Sequence, residues 1–324
     1  MKYSIAIAGT TIRTKQCAQA LLHSDSFDIS WVLTPTAKPV GRKKTITPNP
    51  MEVFAQEHKI PTIFVEKKID QAVQEKIVQF TQNQNAATKQ PDFLLVVDFG
   101  YIIPKWLLEV PKIAPLNIHP SELPKWRGSS PGQFALLFNE QQSAVTVMVM
   151  DAKLDHGPII HQDFFAVDQN WTQADYYAHA FNLMCDNLSE KIVQFAQNPD
   201  AATKQPDDSP TITARQITKA DTFVPWSYVT LAMQGLNPTD IQELPQLLQQ
   251  AYQSNQDLAL TLERASKAFN PWPNLWTTIP TAQGEKRMKL LTAKIEHGKF
   301  IPMTVVIEGK TQSQWDDVTD LLWL

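Results

Sequence analysis

Along its first third the chain alternates short, β-branched apolar runs with segments of helical period, and few folds accept that alternation. Ser4–Ala8, Phe27–Leu33, Ile60–Val65 and Asp92–Phe99 read as strands, the last carrying Phe-Leu-Leu-Val-Val with almost no polar interruption. A strand without a polar face is buried on both sides, as in parallel sheets covered by helices. The segment holding Cys17, Leu21 and Leu22, then Met51–His58 and Asp70–Phe80, read as the intervening helices. The expectation is an α/β domain with a mainly parallel sheet. With 324 residues there is chain for about two domains. Pro206-Asp207-Asp208-Ser209-Pro210 reads as a linker, and beyond it Met288–Ile295 and Met303–Ile307 are strand candidates between turns. The expected division is residues 1–206 and 207–324, the second small and β-rich.

Composition narrows the function classes. At 43% hydrophobic and 19% charged the chain is too apolar for disorder. Apolar runs such as Phe93–Val97 fall far below the roughly 18 residues a membrane span needs. Met1–Gly9 enters a strand directly, without the charged and apolar regions of a leader, so a cytoplasmic location is expected. Cys17 and Cys185 have neither ligand nor redox spacing, which fits a reducing compartment and no metal framework. The net charge of −4 excludes a generally basic nucleic-acid coat, yet it averages unlike parts. Lys38–Lys44 is purely cationic apart from its apolar and proline residues, and residues 264–310 hold eight Lys or Arg against three Glu. Glu75–Asp92 and Glu190–Asp207 match at 15 of 18 positions while their flanks diverge. That repeat reads as one helix end and exit loop used twice, with Ile and Phe packing inward and no chemistry of its own.

The densest chemistry lies between Pro115 and Gly128. Asn117 and His119 are two apart in an extended segment, so their side chains share a face. Ser130-Pro131-Gly132-Gln133 has the form of a capping box with proline at the first helical position. Residues 144–150 read as a strand leading to Asp151-Ala152-Lys153-Leu154-Asp155-His156-Gly157, where Asp155 can reach a histidine on a neighbouring strand. An Asn/His/Asp set suits acyl transfer to an amine. The amide donates to the oxygen that gains charge, the imidazole moves the amine's proton, and the carboxylate orients the ring. The ordinary reading of a lone histidine beside a proline loop, or of an asparagine in a turn, is structural. Asp155, His156, His161 and Asp163 lack compact zinc spacing, so no metal is expected. Neither G-x-G-x-x-G nor a P-loop occurs.

Leu-Asn-Ile-His-Pro-Ser-Glu-Leu-Pro-Lys-Trp-Arg-Gly-Ser-Ser-Pro, followed by Ala-Val-Thr-Val-Met-Val-Met-Asp-Ala-Lys-Leu-Asp-His-Gly, resembles the folate-dependent formyltransferases. The resemblance covers nearly the whole chain. It implies a Rossmann-like catalytic domain followed by an OB-like barrel, and Asn117, His119 and Asp155 as the catalytic set. It also implies that 10-formyltetrahydrofolate is the formyl donor, held by Ser121, Glu122, Leu123 and Pro124 and by Phe99, Tyr101 and Ile102. Lys38–Lys44 is similar to the basic insertion of the branch that formylates methionyl initiator tRNA, which puts Arg42, Lys43 and Lys44 on the RNA. Lys219-Ala220-Asp221…Trp226 and Phe269-Asn270-Pro271-Trp272-Pro273 resemble that branch's linker and barrel, and a monomer is expected. The other implied outcomes are an amino-sugar nucleotide N-formyltransferase or a non-catalytic tRNA-binding relative. Three departures stand out: Gly9-Thr10-Thr11-Ile12-Arg13 lacks the family's Gly-Thr-Pro and following aromatic, Glu122 replaces an apolar residue, and His156 replaces a small one.

Overall fold

Strand β1 (Tyr3–Gly9) shows why the sheet is parallel: Ile5, Ala6, Ile7 and Ala8 are all fully buried, so neither face meets water. The structure is a computed structural model that describes residues 2–40, 44–82, 90–281 and 284–319. The chain continues through α1 (Ile12–Leu22), β2 (Phe27–Pro35), β3 (Lys38–Val40), β4 (Thr45–Thr47), α2 (Pro50–Glu57), β5 (Thr62–Val65) and α3 (Gln71–Gln82). Next come β6 (Phe93–Val97), α4 (Lys105–Leu108), β7 (Ala114–His119), α5 (Pro131–Leu137), β8 (Gln142–Val149), β9 (Ile159–Ala166) and α6 (Gln173–Gln197). The remainder is α7 (Trp226–Gln234), α8 (Gln246–Asn255), α9 (Leu258–Ala268) and strands β10 (Leu275–Thr281), β11 (Gly284–Glu296), β12 (Lys299–Ile307) and β13 (Gln312–Gln314). No helix among the described residues is long and apolar enough to cross a membrane.

Seven strands form one sheet in the order β5-β2-β1-β6-β7-β8-β9. The five from β5 to β7 are parallel, and β8 runs antiparallel to β7 with His119 opposite Thr146. The chain builds outward from β1 to β2 and β5, then returns to add β6 and β7 on the other side, so the order reverses between β1 and β6. Asp98, just past β6, closes that point: its carboxylate accepts from Thr11 Oγ1, at the end of the loop after β1, and from Arg13 Nε in the first turn of α1. Thr11 also caps α1 through the amides of Arg13 and Thr14. The aliphatic run of β6 is wholly buried, as its sequence requires.

Packing divides the chain into two units. Met1–Arg127, Ala144–Phe164 and Ala178–Thr211 make the first; Gly128–Ser143, Phe165–Tyr177 and Ile212–Leu324 make the second. Within the second, a four-stranded antiparallel sheet in the order β10-β11-β12-β13 accompanies α7, α8 and α9. On the buried polar face of α9, Glu263 forms ion pairs with Arg264 and Lys267, and both cations reach Gln169, while Glu263 Oε2 and Arg264 Nε make no hydrogen bond.

Several local expectations give way to tertiary contacts. Ser130 makes no side-chain cap on α5, because Gln133 is drawn to Tyr177 and Gln173 while the Gly132 amide donates to the Tyr177 hydroxyl at 3.2 Å. The cationic stretch is no simple loop: Lys38–Val40 pairs antiparallel with Thr45–Thr47. The two thiols, remote in sequence, lie 3.7 Å apart where α1 meets α6. The Cys185 sulfur and then burial push the Cys17 thiol up, while Cys185 is pulled down by its hydrogen bond with Cys17. In both copies of the repeated segment the Ile is buried, as Ile77 and Ile192, and Phe80 and Phe195 pack inward.

Arg215 holds Asp221 in the second unit with two hydrogen bonds of 2.6 and 2.9 Å, and Thr218 adds its amide and hydroxyl, each at 2.8 Å. The guanidinium, foremost, lowers the carboxyl from 3.8 to about 2. A depressed carboxyl stabilises the fold above its unfolded value and loses that contribution as pH falls through the folded one. Asp221→Asn should therefore cost about 1 kcal/mol at neutral pH, the pairing being half open to solvent screening. The gap in Tm from the parent should close as pH drops from 3.8 to about 2.

Candidate active site

Asn117 and His119 end β7, alternate residues of an extended strand and hence on one face. The Asn117 amide donates to Val96 O at 3.0 Å, across the parallel pair with β6, while its buried Oδ1 has no hydrogen-bond partner. His119 is 5% exposed. Its Nε2 lies 3.0 Å from the carbonyl of Trp126, an acceptor, so that nitrogen carries a hydrogen and Nδ1 is the position that exchanges a proton. Asp155 Oδ2 faces Nδ1 at 3.7 Å, an ionic separation longer than a hydrogen bond. Catalytic contacts of this kind commonly tighten when substrate binds.

Asp155 reaches the ring because the excursion between β8 and β9 folds back. The Val149 amide donates to Pro158 O at 2.8 Å, and Asp155 takes a left-handed φ of 48°. Gly157 makes the reversal possible: a Cβ there would sit 1.8 Å from Val149 O. The two unusual residues of this region belong to its scaffold. His156 bridges Asp151 at 2.8 Å and Asp207 at 3.3 Å, and Lys153 meets the same Asp207 at 3.1 Å. The hydrogen bond from Lys153, then that from His156, holds the Asp207 carboxyl below its usual range. Glu122 faces Lys125 at 3.5 Å within its own turn.

The residues expected to hold folate occupy two loops. Ser121 is buried, its hydroxyl donating to Lys125 O at 2.7 Å, and Leu123 is buried as well. Their carbonyls and that of Pro124 are taken by Thr146, Gln162 and Ser209 respectively. In the loop after β6, Phe99 and Tyr101 pack with ring centroids 5.0 Å apart beside an apolar cluster. Ile102 between this pair and the helix is 93% exposed. Arg42 and Lys43 lie outside the described residues; Lys44 is exposed in the turn just before β4. His161 and Asp163 pair with each other at 2.9 Å on β9, and no group of three metal-ligating side chains occurs among the described residues.

Sequence reasoning gave no role to Arg127, Gln205 or Trp126. Arg127, 8% exposed, spends its guanidinium on Gln205 Oε1 and on the carbonyls of Pro206 and Asp207. The segment read as a linker is thus fastened against the site: Ser209 Oγ donates to Pro124 O, and the Trp126 amide to Thr211 Oγ1, each at 2.8 Å. The available signal was the Gln-Pro-Asp ending common to both copies of the repeat.

Gly157→Ala should lose about 2–3 kcal/mol of stability, since the backbone must move to clear Val149 O. Gly100→Ala, where a Cβ meets nothing within 4 Å, should change denaturation midpoints by less than the error.

Comparison with known proteins bears on the same segments. A methionyl-tRNA formyltransferase of Sulfurovum sp. (strain NBC37-1) is 39% identical over 168 residues, which span 52% of this chain and 51%, about half, of that relative. The methionyl-tRNA formyltransferase of Idiomarina loihiensis is 27% identical over 317 residues, 97% of this chain and 87% of that one. Among solved structures, the methionyl-tRNA formyltransferase of Clostridium thermocellum shares the fold with a TM-score of 0.53 at 15% identity, covering 94% of this chain and 98% of its own. The family described as Formyl transferase matches residues 1–190, more than half of the sequence and inclusive of Asn117, His119 and Asp155. The chain belongs to the formyl transferase family.

Proposed function

We propose that this protein transfers the formyl group of 10-formyltetrahydrofolate to the α-amine of methionyl initiator tRNA. The observation that carries the reading is His119 Nδ1 facing Asp155 beside an asparagine amide on the same strand face. The near full-length similarity to a relative named for that activity supports the choice of acceptor.

In this mechanism Asn117 gives one N–H to Val96 O and the other to the formyl oxygen as that oxygen gains charge. The neutral amine adds to the formyl carbon, and His119 takes its proton at Nδ1. Asp155 stabilises the resulting cation, while Trp126 O keeps the ring from turning. When the bond from carbon to the donor nitrogen breaks, His119 passes the proton it took to that nitrogen, and the products are a formylated amine, tetrahydrofolate and the neutral ring. The donor lies against Phe99, Tyr101 and Ile102, an exposed apolar side chain beside two rings that suits a flat heterocycle. Ser121, Glu122, Leu123 and Pro124 would contact the donor from a loop whose carbonyls are all engaged.

Residues 1–206 carry the chemistry and 207–324 contribute to holding RNA, with Arg42, Lys43 and Lys44 on the acceptor arm. The outer face of β10 and β11 supports that assignment. Arg287 lies 4.7 Å from the Trp276 ring, and Lys289 is the cross-strand partner of Trp276. The reading places a monomeric enzyme in the cytoplasm, where charged tRNA is made.

An assay offering the formyl donor with either charged initiator tRNA or an amino-sugar nucleotide tests the acceptor. Formylation of the sugar alone would move the assignment to the other branch of the family. Tight tRNA binding without transfer to either would mark a non-catalytic relative. Asn117→Ala should lower kcat about 10²–10³-fold, and His119→Ala about 10²–10⁴-fold. Replacing Arg42, Lys43 and Lys44 by alanine should raise the tRNA KM and flatten its dependence on salt, since each lost phosphate contact releases fewer counterions.

A further inference from the structure

We propose that Gln205 is a positioning residue for the Asp155 carboxylate. The side chain is 9% exposed and spends its amide in two directions. Nε2 donates to Gly157 O at 2.8 Å and Asp155 O at 3.1 Å, the two carbonyls that bracket the catalytic turn. Oε1 accepts from Arg127 Nε and Nη2 at 3.2 and 3.0 Å. Asp155 needs such a hold. Its left-handed φ of 48° is disfavoured for a residue with a Cβ, so contacts outside the turn must keep the backbone there.

The same short strap governs the other member of the pair. Thr211 receives the Trp126 amide, and the carbonyl of Trp126 is what fixes the His119 ring. One continuous segment, Gln205 to Thr211, therefore sets the backbone on both sides of the 3.7 Å gap between His119 and Asp155. Residues 50 and 85 positions apart in sequence are brought to one geometry by it, as the amide and hydroxyl contacts show.

The repeated segment supplies an internal control. In its first copy Gln90 Nε2 likewise donates to a carbonyl, that of Val110 at 2.9 Å, and Asp92 faces Lys112 at 3.5 Å. The second copy has Gln205 on carbonyls and Asp207 on Lys153. One clip is used twice, and only the second closes on the catalytic turn.

The inference rests on the proposed transfer reaction for its kinetic arm but not for its spectroscopic one. Gln205→Glu keeps an acceptor for Arg127 and deletes the donor to the turn; Gln205→Met deletes both and is the harsher variant. With the full-length protein, Gln205→Glu should lower kcat 10–100-fold, leave the tRNA KM within twofold, and shift the pH profile of kcat toward that of Asp155→Asn. In ¹⁵N-histidine-labelled protein, the His119 ring signals of Gln205→Glu should move toward those of Asp155→Asn. Gln90→Met should do neither. A wild-type kcat, pH profile and His119 spectrum in Gln205→Glu would overturn the proposal, as would equal changes in Gln90→Met. Should Gln205→Met fail to fold, Gln205→Glu decides alone. If the parent protein transfers formyl to neither acceptor, the functional reading fails, and the His119 spectra still decide the positioning role.

Discussion

A guanidinium taken out of water must have its donors met, and the way Arg127 meets that demand organises the site. Arg127 is 8% exposed and binds Gln205 Oε1 and the carbonyls of Pro206 and Asp207. Leaving a buried charged donor unsatisfied costs several kcal/mol, so the exit of α6 cannot swing away without a heavy penalty. With that exit fixed, Gln205 reaches the Asp155 turn and Thr211 reaches Trp126. The His119–Asp155 geometry is thus downstream of a single buried cation, the residue directly after the tryptophan of the proline loop.

The sheet supplies the frame on which this closes. Its parallel strands are buried on both faces, which leaves chemistry only to the ends of strands and the loops beyond them. β7 carries its polar pair at its carboxyl end, Asn117 on the Val96 carbonyl and His119 on Trp126. Reversal of direction at β8 leads into the folded-back turn that only Gly157 permits. Asp98 ties the loops after β1 and β6 together at the point where strand order reverses, with Thr11 and Arg13 both donating to its carboxylate.

Much of this was legible in one dimension. The uninterrupted apolar run of β6 announced a doubly covered strand, and the period-2 spacing of Asn117 and His119 put them on one face. Local grammar failed where a distant partner offered a better bond. Ser130-Pro131-Gly132-Gln133 has the letters of a capping box, yet Gln133 binds Tyr177 and Gln173 from α6. The two cysteines looked unrelated and lie 3.7 Å apart, because helix packing, not chain spacing, sets their separation. Pro206–Pro210 has the composition of a linker, but composition does not reveal that its carbonyls and hydroxyls are spoken for.

By itself the sequence determined the α/β class, the buried strands and a set of residue types suited to acyl transfer to an amine. These follow from periodicity and side-chain chemistry, which are local. Tertiary structure alone decided which histidine nitrogen faces the carboxylate, that His156 and Glu122 are held by neighbouring charges, and that a glutamine fifty residues downstream of Asp155 braces it. The reason is that hydrogen bonds are short and directional. Which donor meets which acceptor is fixed only once the sheet and its loops have brought remote backbone groups within about 3 Å.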